Sequence, residues 1–205
     1  FQRIILILLL IFSLQACSKN KEIEYESQNN IDPYKVYKEG YEAFERGDYF
    51  FANKKFSEAE LNFDVVEHAA KAAIMSSYAL YGISFYDESI ENLKRYIKKY
   101  PADKNIMYAH YLFAIIYYEQ ISDEKKDLQP LLKATEKIDF FVNKYPDSDY
   151  AIDLKFKKDL IQNQLAAKEL YVAKHYIKTQ KWVPAINRLK IILKKYEKTI
   201  FIEEA

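Results

Sequence analysis

Little in this chain of 205 residues is placed to make or break a covalent bond. His68, His110 and His175 lie far apart, and none stands in an H-E-x-x-H arrangement, where two imidazoles one helical turn apart would hold zinc beside a glutamate base. Each reads as a packing or surface histidine rather than a ligand. There is no G-x-S-x-G turn to expose a serine, no Walker loop and no dinucleotide fingerprint. Three glycines in the whole chain leave little from which to build a phosphate-cradling loop. Acid pairs such as Asp123 and Glu124 sit among lysines, where solvation accounts for them. No hydroxyl has a base at a spacing that would activate it, so the expectation is a non-enzyme without cofactor or metal. The abundant chemistry is that of 19 tyrosines. Tyrosine fills space between helices with its hydroxyl at the wet edge, and it also favours binding surfaces.

The balance of 31 basic and 30 acidic residues leaves a net charge of +1, which gives no footprint for nucleic acid. One charged position, Arg3, precedes the apolar run Ile4 to Phe12. That run falls short of the roughly 20 residues a membrane-spanning helix needs and has the length of a signal-peptide core. Ser13-Leu14-Gln15-Ala16 then leads into Cys17, the only cysteine. A cysteine directly after Leu-x-Ala resembles the lipobox of bacterial lipoproteins, with Gln15 a less usual residue at its position. The resemblance implies that residues 1–16 are removed, that Cys17 carries fatty acyl chains such as palmitate, and that Ser18 after it directs the protein to the outer membrane. An ordinary signal peptide with an incidental cysteine is the alternative. With Cys17 acylated no thiol is left for a disulfide or a metal. The chain opens at Phe1 rather than Met, so earlier residues are expected. Residues 18–32 are polar and aperiodic, which makes 17–32 a lipidated cysteine and flexible tether.

Asp32-Pro33 predicts a helix start, with aspartate as N-cap and proline at the first helical position. From there the sequence repeats itself. Gly47-Asp48-Tyr49 predicts a tight turn, followed by Ala52, Phe56 and Ala59. A small residue that lets two helices approach, with an aromatic four residues on to fill the gap, is the second-helix pattern of the tetratricopeptide repeat. Tyr86, Ser89, Leu93, Tyr96 and Pro101 repeat it, as do Ala134, Ile138, Phe141 and Pro146, and then Ala185, Leu189 and Ile192. The small-residue positions step by 37, 45 and 51 residues against the usual 34. The second step contains the polar stretch Ile121 to Pro130, predicted as a long loop. The third has no glycine or proline between Pro146 and Pro184 and exceeds the usual period by nearly a whole number of helical turns. It predicts one long helix over about Ser148–Thr179, with Trp182–Tyr196 as its return partner and a further helix from near Thr199. The fold class is therefore all-α: a tetratricopeptide-repeat solenoid of antiparallel helix pairs. Its repeats fall at about 33–65, 66–102, 103–147 and 148–197, with a truncated fifth from 198, all within a domain spanning 33–205. A generic helical bundle is the alternative.

First helices of such repeats line the concave groove that usually takes ligand. Registered on Gly47-Asp48-Tyr49, that face carries Tyr34, Tyr37, Tyr41 and Phe44 in the first repeat, Tyr78 and Tyr81 in the second, and Asn105 and Tyr108 in the third. Such a wall suits an extended peptide with aromatic side chains. The alternative is that these rings only pack between repeats.

Three strings go beyond generic repeats: Asn105-Ile106-Met107-Tyr108-Ala109-His110-Tyr111; the run from Leu165-Ala166 through Glu169-Leu170 and Val172-Ala173 to Tyr176; and Trp182-Val183-Pro184-Ala185-Ile186-Asn187-Arg188. With the lipobox, the inserted loop and the long helix, they resemble the BamD family, lipoproteins of the bacterial β-barrel assembly machinery, from about residue 14 onward. Tyr196-Glu197 departs from the Tyr-Pro that ends other repeats. The resemblance implies a Gram-negative bacterium and a lipid-anchored protein at the periplasmic face of the outer membrane. It implies N-terminal repeats that receive unfolded β-barrel precursors, and a C-terminal half that binds a POTRA domain of BamA alongside the other assembly lipoproteins. Trp182, Asn187 and Arg188 become the partner-interface candidates, with Arg188 equally suited to bracing helices. The other function class is a periplasmic repeat lipoprotein serving pilus assembly or envelope division. A cell-wall enzyme, or an activator of one, lacks a catalytic constellation here.

Overall fold

The computed structural model describes residues 31–120 and 128–205, and among these it forms eight helices and no strand. The leader, Cys17 and nearly all of the tether fall on 1–30, and most of the predicted loop on 121–127, outside the described residues. The helices are α1 (Pro33–Glu45), α2 (Tyr49–Asn62), α3 (Val66–Gly82), α4 (Tyr86–Lys99), α5 (Ile106–Glu119), α6 (Gln129–Lys144), α7 (Asp149–Lys178) and α8 (Trp182–Lys195). They pair in order, α1 with α2 through α7 with α8, as the repeat pattern predicts. The first helices form an inner row, in which α3 touches α5 and α5 touches α7 directly.

Local chemistry sets the ends. Asp32 caps α1 by accepting from the Tyr34 N–H at 3.0 Å, with Pro33 behind it. Asp48 caps α2 through the Phe51 N–H at 3.2 Å, and Ser148 caps α7 through the Ala151 N–H at 3.2 Å. Three hairpins share one turn. Gly47, Ser84 and Gln180 take positive φ of 79°, 59° and 57°. The next residue's N–H then reaches five residues back: Asp48 to the Ala43 carbonyl, Phe85 to Leu80 and Lys181 to Tyr176, at 2.8–2.9 Å. This closure satisfies carbonyls that the helix end would otherwise leave unpaired. Only the first of the three has glycine, so the other two carry left-handed backbone on ordinary side chains.

The predicted small-residue positions Ala52, Ser89, Ala134 and Ala185 are all buried at helix crossings, as are Phe56, Tyr96, Ile138, Phe141 and Ile192. Gly40 serves the same end in α1, where a Cβ would stand 3.0 Å from the Phe56 ring. The apolar core runs on from pair to pair through Phe56, then Leu93 and Leu112, then Ile138 and Leu154, then Leu170 and Ile192. No pair buries its apolar face alone, so stacking supplies the stability.

Helix α7 runs 30 residues without interruption, as the long step between repeats requires. Two expectations are corrected. Gln129 and Pro130 belong to α6 rather than to the loop, because proline suits the first turn, where its missing N–H costs nothing. The helix expected from Thr199 is a run of turns: Thr199 bonds back to the Tyr196 carbonyl and Ile202 to that of Thr199, both three residues apart. The segment instead folds against α7. The Ile200 N–H donates to Asn163 Oδ1 at 3.2 Å, Lys174 pairs with Glu204, and Phe201 packs beside Leu170 and Ile192.

Candidate functional site

The inner row carries a continuous aromatic seam. Phe44 on α1 lies 5.5 Å from Tyr78 on α3, Tyr78 6.3 Å from Tyr108 on α5, and Tyr108 6.0 Å from Tyr150 on α7, measured between ring centroids. Tyr81 stacks beside Tyr78 at 6.0 Å, and Tyr111 lies 4.4 Å from Tyr150. These rings are half-buried: each packs on its neighbour in the next repeat and leaves an edge accessible. They therefore do both things the sequence allowed, packing between repeats and lining the inner face.

Three of the hydroxyls have their pKa raised. Burial, then neighbouring Tyr78, Tyr150 and Tyr81, pushes Tyr108 well above the usual phenol range. Burial, then the hydrogen bond to Asp153 at 2.9 Å, does the same for Tyr111. Burial and then Glu119 raise Tyr81. Tyr81, Tyr108 and Tyr111 are thus uncharged at neutral pH, and the seam sets phenol groups beside apolar faces, a surface matched to peptide carbonyls and apolar side chains.

The other groove candidates sit apart from this seam. Tyr34, more than half exposed, packs edge-on to Phe63 and its hydroxyl lies 2.9 Å from His68 Nδ1. Tyr37 leans on Phe56 and Phe63 under Lys71. Tyr41 is exposed and bonds to Glu45, the first cause of its raised pKa. Asn105 is the N-cap residue of α5, without a side-chain cap bond, its N–H held by Asp103 at 2.9 Å. Tyr111 and Tyr150 complete the seam and were not among the predicted positions. Tyr111 sits one turn beyond Tyr108, and that spacing was the available signal.

At the other end of the chain Trp182 is 59% exposed. Val183, Ile186 and Leu193 are exposed on the same helix, giving α8 an apolar outer surface too large for scattered single residues. Asn187 is exposed beside them. Arg188 turns inward: its Nη1 donates to Glu169 Oε2 at 3.0 Å, tying α8 to α7. It braces the last pair while remaining two-fifths exposed.

A polar clamp that sequence reasoning passed over ties α2 to α4. Glu60 has a side chain only 2% exposed. Its carboxylate accepts from Arg95 Nη1 at 2.5 Å and Nη2 at 2.8 Å, Tyr100 at 2.9 Å and Lys99 at 3.2 Å. Burial alone would raise its pKa; donation from Arg95, Tyr100 and Lys99 together overrides burial and holds it below the usual glutamate range. Among the described residues no three His, Cys, Asp or Glu side chains converge on a metal-sized site, and no helix is long and apolar enough to cross a membrane.

Known proteins match this sequence. The sequence model of the family described as outer membrane lipoprotein (YfiO) matches residues 29–205. The outer membrane protein assembly factor BamD of Caulobacter vibrioides is 32% identical over 170 residues, covering 83% of this chain and 56% of the relative. That of Rickettsia prowazekii is 31% identical, covering 83% and 68%. That of Neisseria gonorrhoeae is 25% identical, covering 100% and 81%. The chain thus spans little more than half the length of its Caulobacter relative. A family match over residues 29–205, together with relatives above 30% identity, places the chain in the YfiO family of outer membrane lipoproteins.

Proposed function

We propose that this chain is a lipid-anchored scaffold and receptor of the outer-membrane β-barrel assembly machinery, held by Cys17 at the periplasmic face. Residues 17–32 are the tether and the helical pairs the working part. The inner seam of Phe44, Tyr78, Tyr81 and Tyr108, flanked by Tyr34, Tyr37, Tyr41 and Asn105, receives extended segments of unfolded barrel precursors. The α8 face around Trp182 and Asn187, positioned by Arg188, docks BamA through a POTRA domain. The aromatic seam carries the reading: it crosses all four inner helices and presents phenol donors beside apolar surface. Binding to half-buried rings on a preformed groove is expected to be weak and reversible, which suits a receptor that must hand its cargo on.

The test is an affinity pull-down of the lipidated protein from detergent-solubilised cells, wild type beside Arg188→Glu. Recovery of BamA with wild type, reduced for Arg188→Glu at unchanged helicity, is the expected result. No BamA with either protein would remove the assembly-machinery reading and favour a pilus or division adaptor. Equal BamA with both would remove Arg188 from the interface.

A further inference from the structure

Helix α5 has a second functional side. It presents Tyr108 and Tyr111 to α3 and α7, and His110 and Phe113 to the outer helices α4 and α6. There the chain forms an open groove of about 480 Å³. Its apolar floor is Ile97 of α4, Phe113 of α5 and Phe140 of α6, with the His110 ring 5.0 Å from that of Phe140. Phe140 is 48% exposed, a large aromatic left uncovered at the centre of a recess.

The rim is cationic. Lys94 and Lys98 enter from α4 and Lys137 from α6. Lys137 sits 5.7 Å from the Phe113 ring and Lys144 5.4 Å from that of Phe140, so both floor rings already carry an ammonium. Two carboxylates answer these four lysines: Glu91 pairs with Lys94 at 2.6 Å and Glu136 with Lys137 at 2.7 Å. Lys98 and Lys144 have no carboxylate partner among the described residues. On a chain whose total charge is +1, that is a local surplus placed over exposed apolar surface.

The geometry points to this outer groove as a docking site for an acidic segment of a partner protein, one that seats a large apolar side chain on Phe140 and Phe113 and sets flanking carboxylates against Lys98 and Lys144. Charge complementarity selects the occupant: apolar anchors supply contact area, and the unmatched lysines favour carboxylates over neutral or basic flanks. The volume accommodates one or two large side chains. The recessed floor and the carboxylates of Glu136 and Glu91 at its edge suit a polypeptide better than the flat anionic surface of a membrane. The site is independent of the aromatic seam and of the α8 face, and stands or falls apart from the function proposed above.

Fluorescence anisotropy on the full-length chain decides it, with a labelled peptide of repeated Glu-Phe-Glu triplets as probe and Lys-Phe-Lys and Ser-Phe-Ser versions beside it. The acidic peptide is expected to bind about tenfold tighter than either control at low salt, and Lys98→Glu and Phe140→Ser each to weaken it by about tenfold at unchanged helicity. Leu61→Ser, at an exposed position of α2 that lines neither face, is expected to leave it unchanged. Equal binding of the basic peptide, or binding indifferent to both groove variants, overturns the proposal. So does binding lost to the same degree in Leu61→Ser, which takes the effect away from the groove. Capture of phosphatidylglycerol vesicles, sensitive to Lys98→Glu, by a protein that ignores the acidic peptide overturns it in favour of a membrane contact.

Discussion

Removing Arg95 tests how the first two pairs are held in register. Arg95→Met keeps most of the stem that covers apolar surface and deletes both guanidinium bonds to Glu60, at 2.5 and 2.8 Å. Breaking a buried ion pair from one side costs about 3–5 kcal/mol, because the other charge stays behind unpaired. Two facts lower that figure here: Arg95 is 42% exposed, and Lys99 and Tyr100 still serve the carboxylate. A loss of about 2–3 kcal/mol follows, from two bonds to a charged acceptor discounted for solvent screening. For a domain of this size each kcal/mol moves the melting temperature by about 2–4 °C, so Tm should fall by roughly 5–10 °C. Melting by far-UV circular dichroism at pH 7 measures it. Amide exchange on α2 and α4 shows whether opening is local, since stacked repeats need not unfold in one step. The folded-state pKa of Glu60 is depressed, so its contribution is present above the unfolded value of about 4.3 and is lost as pH falls through the folded value. The gap between wild type and Arg95→Met should therefore narrow in acid. The double variant Glu60→Leu/Arg95→Met should recover much of the loss, because an apolar pair leaves no stranded charge. A drop under about 0.5 kcal/mol at pH 7, the range of ordinary surface substitutions, would refute the clamp as a stabilising contact.

Two further outcomes follow from the backbone and from His110. Ser84→Gly should raise stability by about 0.5–1 kcal/mol, since the left-handed φ of 59° costs a side-chain-bearing residue roughly 1–2 kcal/mol and glycine returns part of that as chain entropy; a lower urea midpoint for the variant would contradict it. Burial, then Lys144, holds His110 down to about 4. Lys94 and Lys98 of α4 and Glu136 and Lys137 of α6 face the same groove. The unfolded chain takes up this proton near pH 6.5 and the folded chain only near 4, so His110 costs stability as pH falls through that window. In His110→Gln, urea midpoints between pH 7 and 4.5 should decline less than in wild type, and parallel declines would show that His110 is not the titrating group.

The helix pairs were legible because their signals are short-range. Ala52 with Phe56, Ala134 with Ile138 and the unpunctuated stretch before Pro184 each report a local requirement, and each lands where the spacing put it. The site was legible by halves. Tyr78 and Tyr108 followed from repeat register, whereas Tyr150 enters the seam from the start of α7, where the irregular step between repeats had broken the register. Glu60 looked like one more acid on a charged helix. Its three donors come from 35 to 40 residues away, and a single charged position says nothing of partners at that distance. Thr199 misled for the opposite reason: its local pattern favours a helix, but Asn163 and Glu204 tie the segment to α7 in turns.

The seam and the clamp constrain different motions. The inner row of Phe44, Tyr78, Tyr108 and Tyr150 meets at tilted and edge-on ring angles, apolar contacts that bury area between repeats without a donor–acceptor axis to fix their angle. The Glu60 clamp is directional: a forked guanidinium on a buried carboxylate holds both distance and angle between α2 and α4. Curvature of a solenoid follows from the spacing of its outer row relative to its inner row, so the first two pairs have that spacing pinned on both sides. Among the described residues no ion pair joins α6 to α8. In their place α7 lies between the two and is tied to each, with Lys158 of α7 on Asp139 of α6 at 2.5 Å and Arg188 of α8 on Glu169 of α7 at 3.0 Å. The first half is thus held by contacts between separate helices and the second by one continuous helix to which its neighbours are tied. In the function proposed above, a groove that keeps its shape for changing cargo would gain from the first arrangement, and a face that carries a fixed partner from the second. Of the exposed tyrosines, Tyr34 and Tyr41 stand on α1 and Tyr171 on α7, while the exposed Trp182, Val183 and Ile186 stand on α8, so exposed rings lie at both ends where the two arrangements apply.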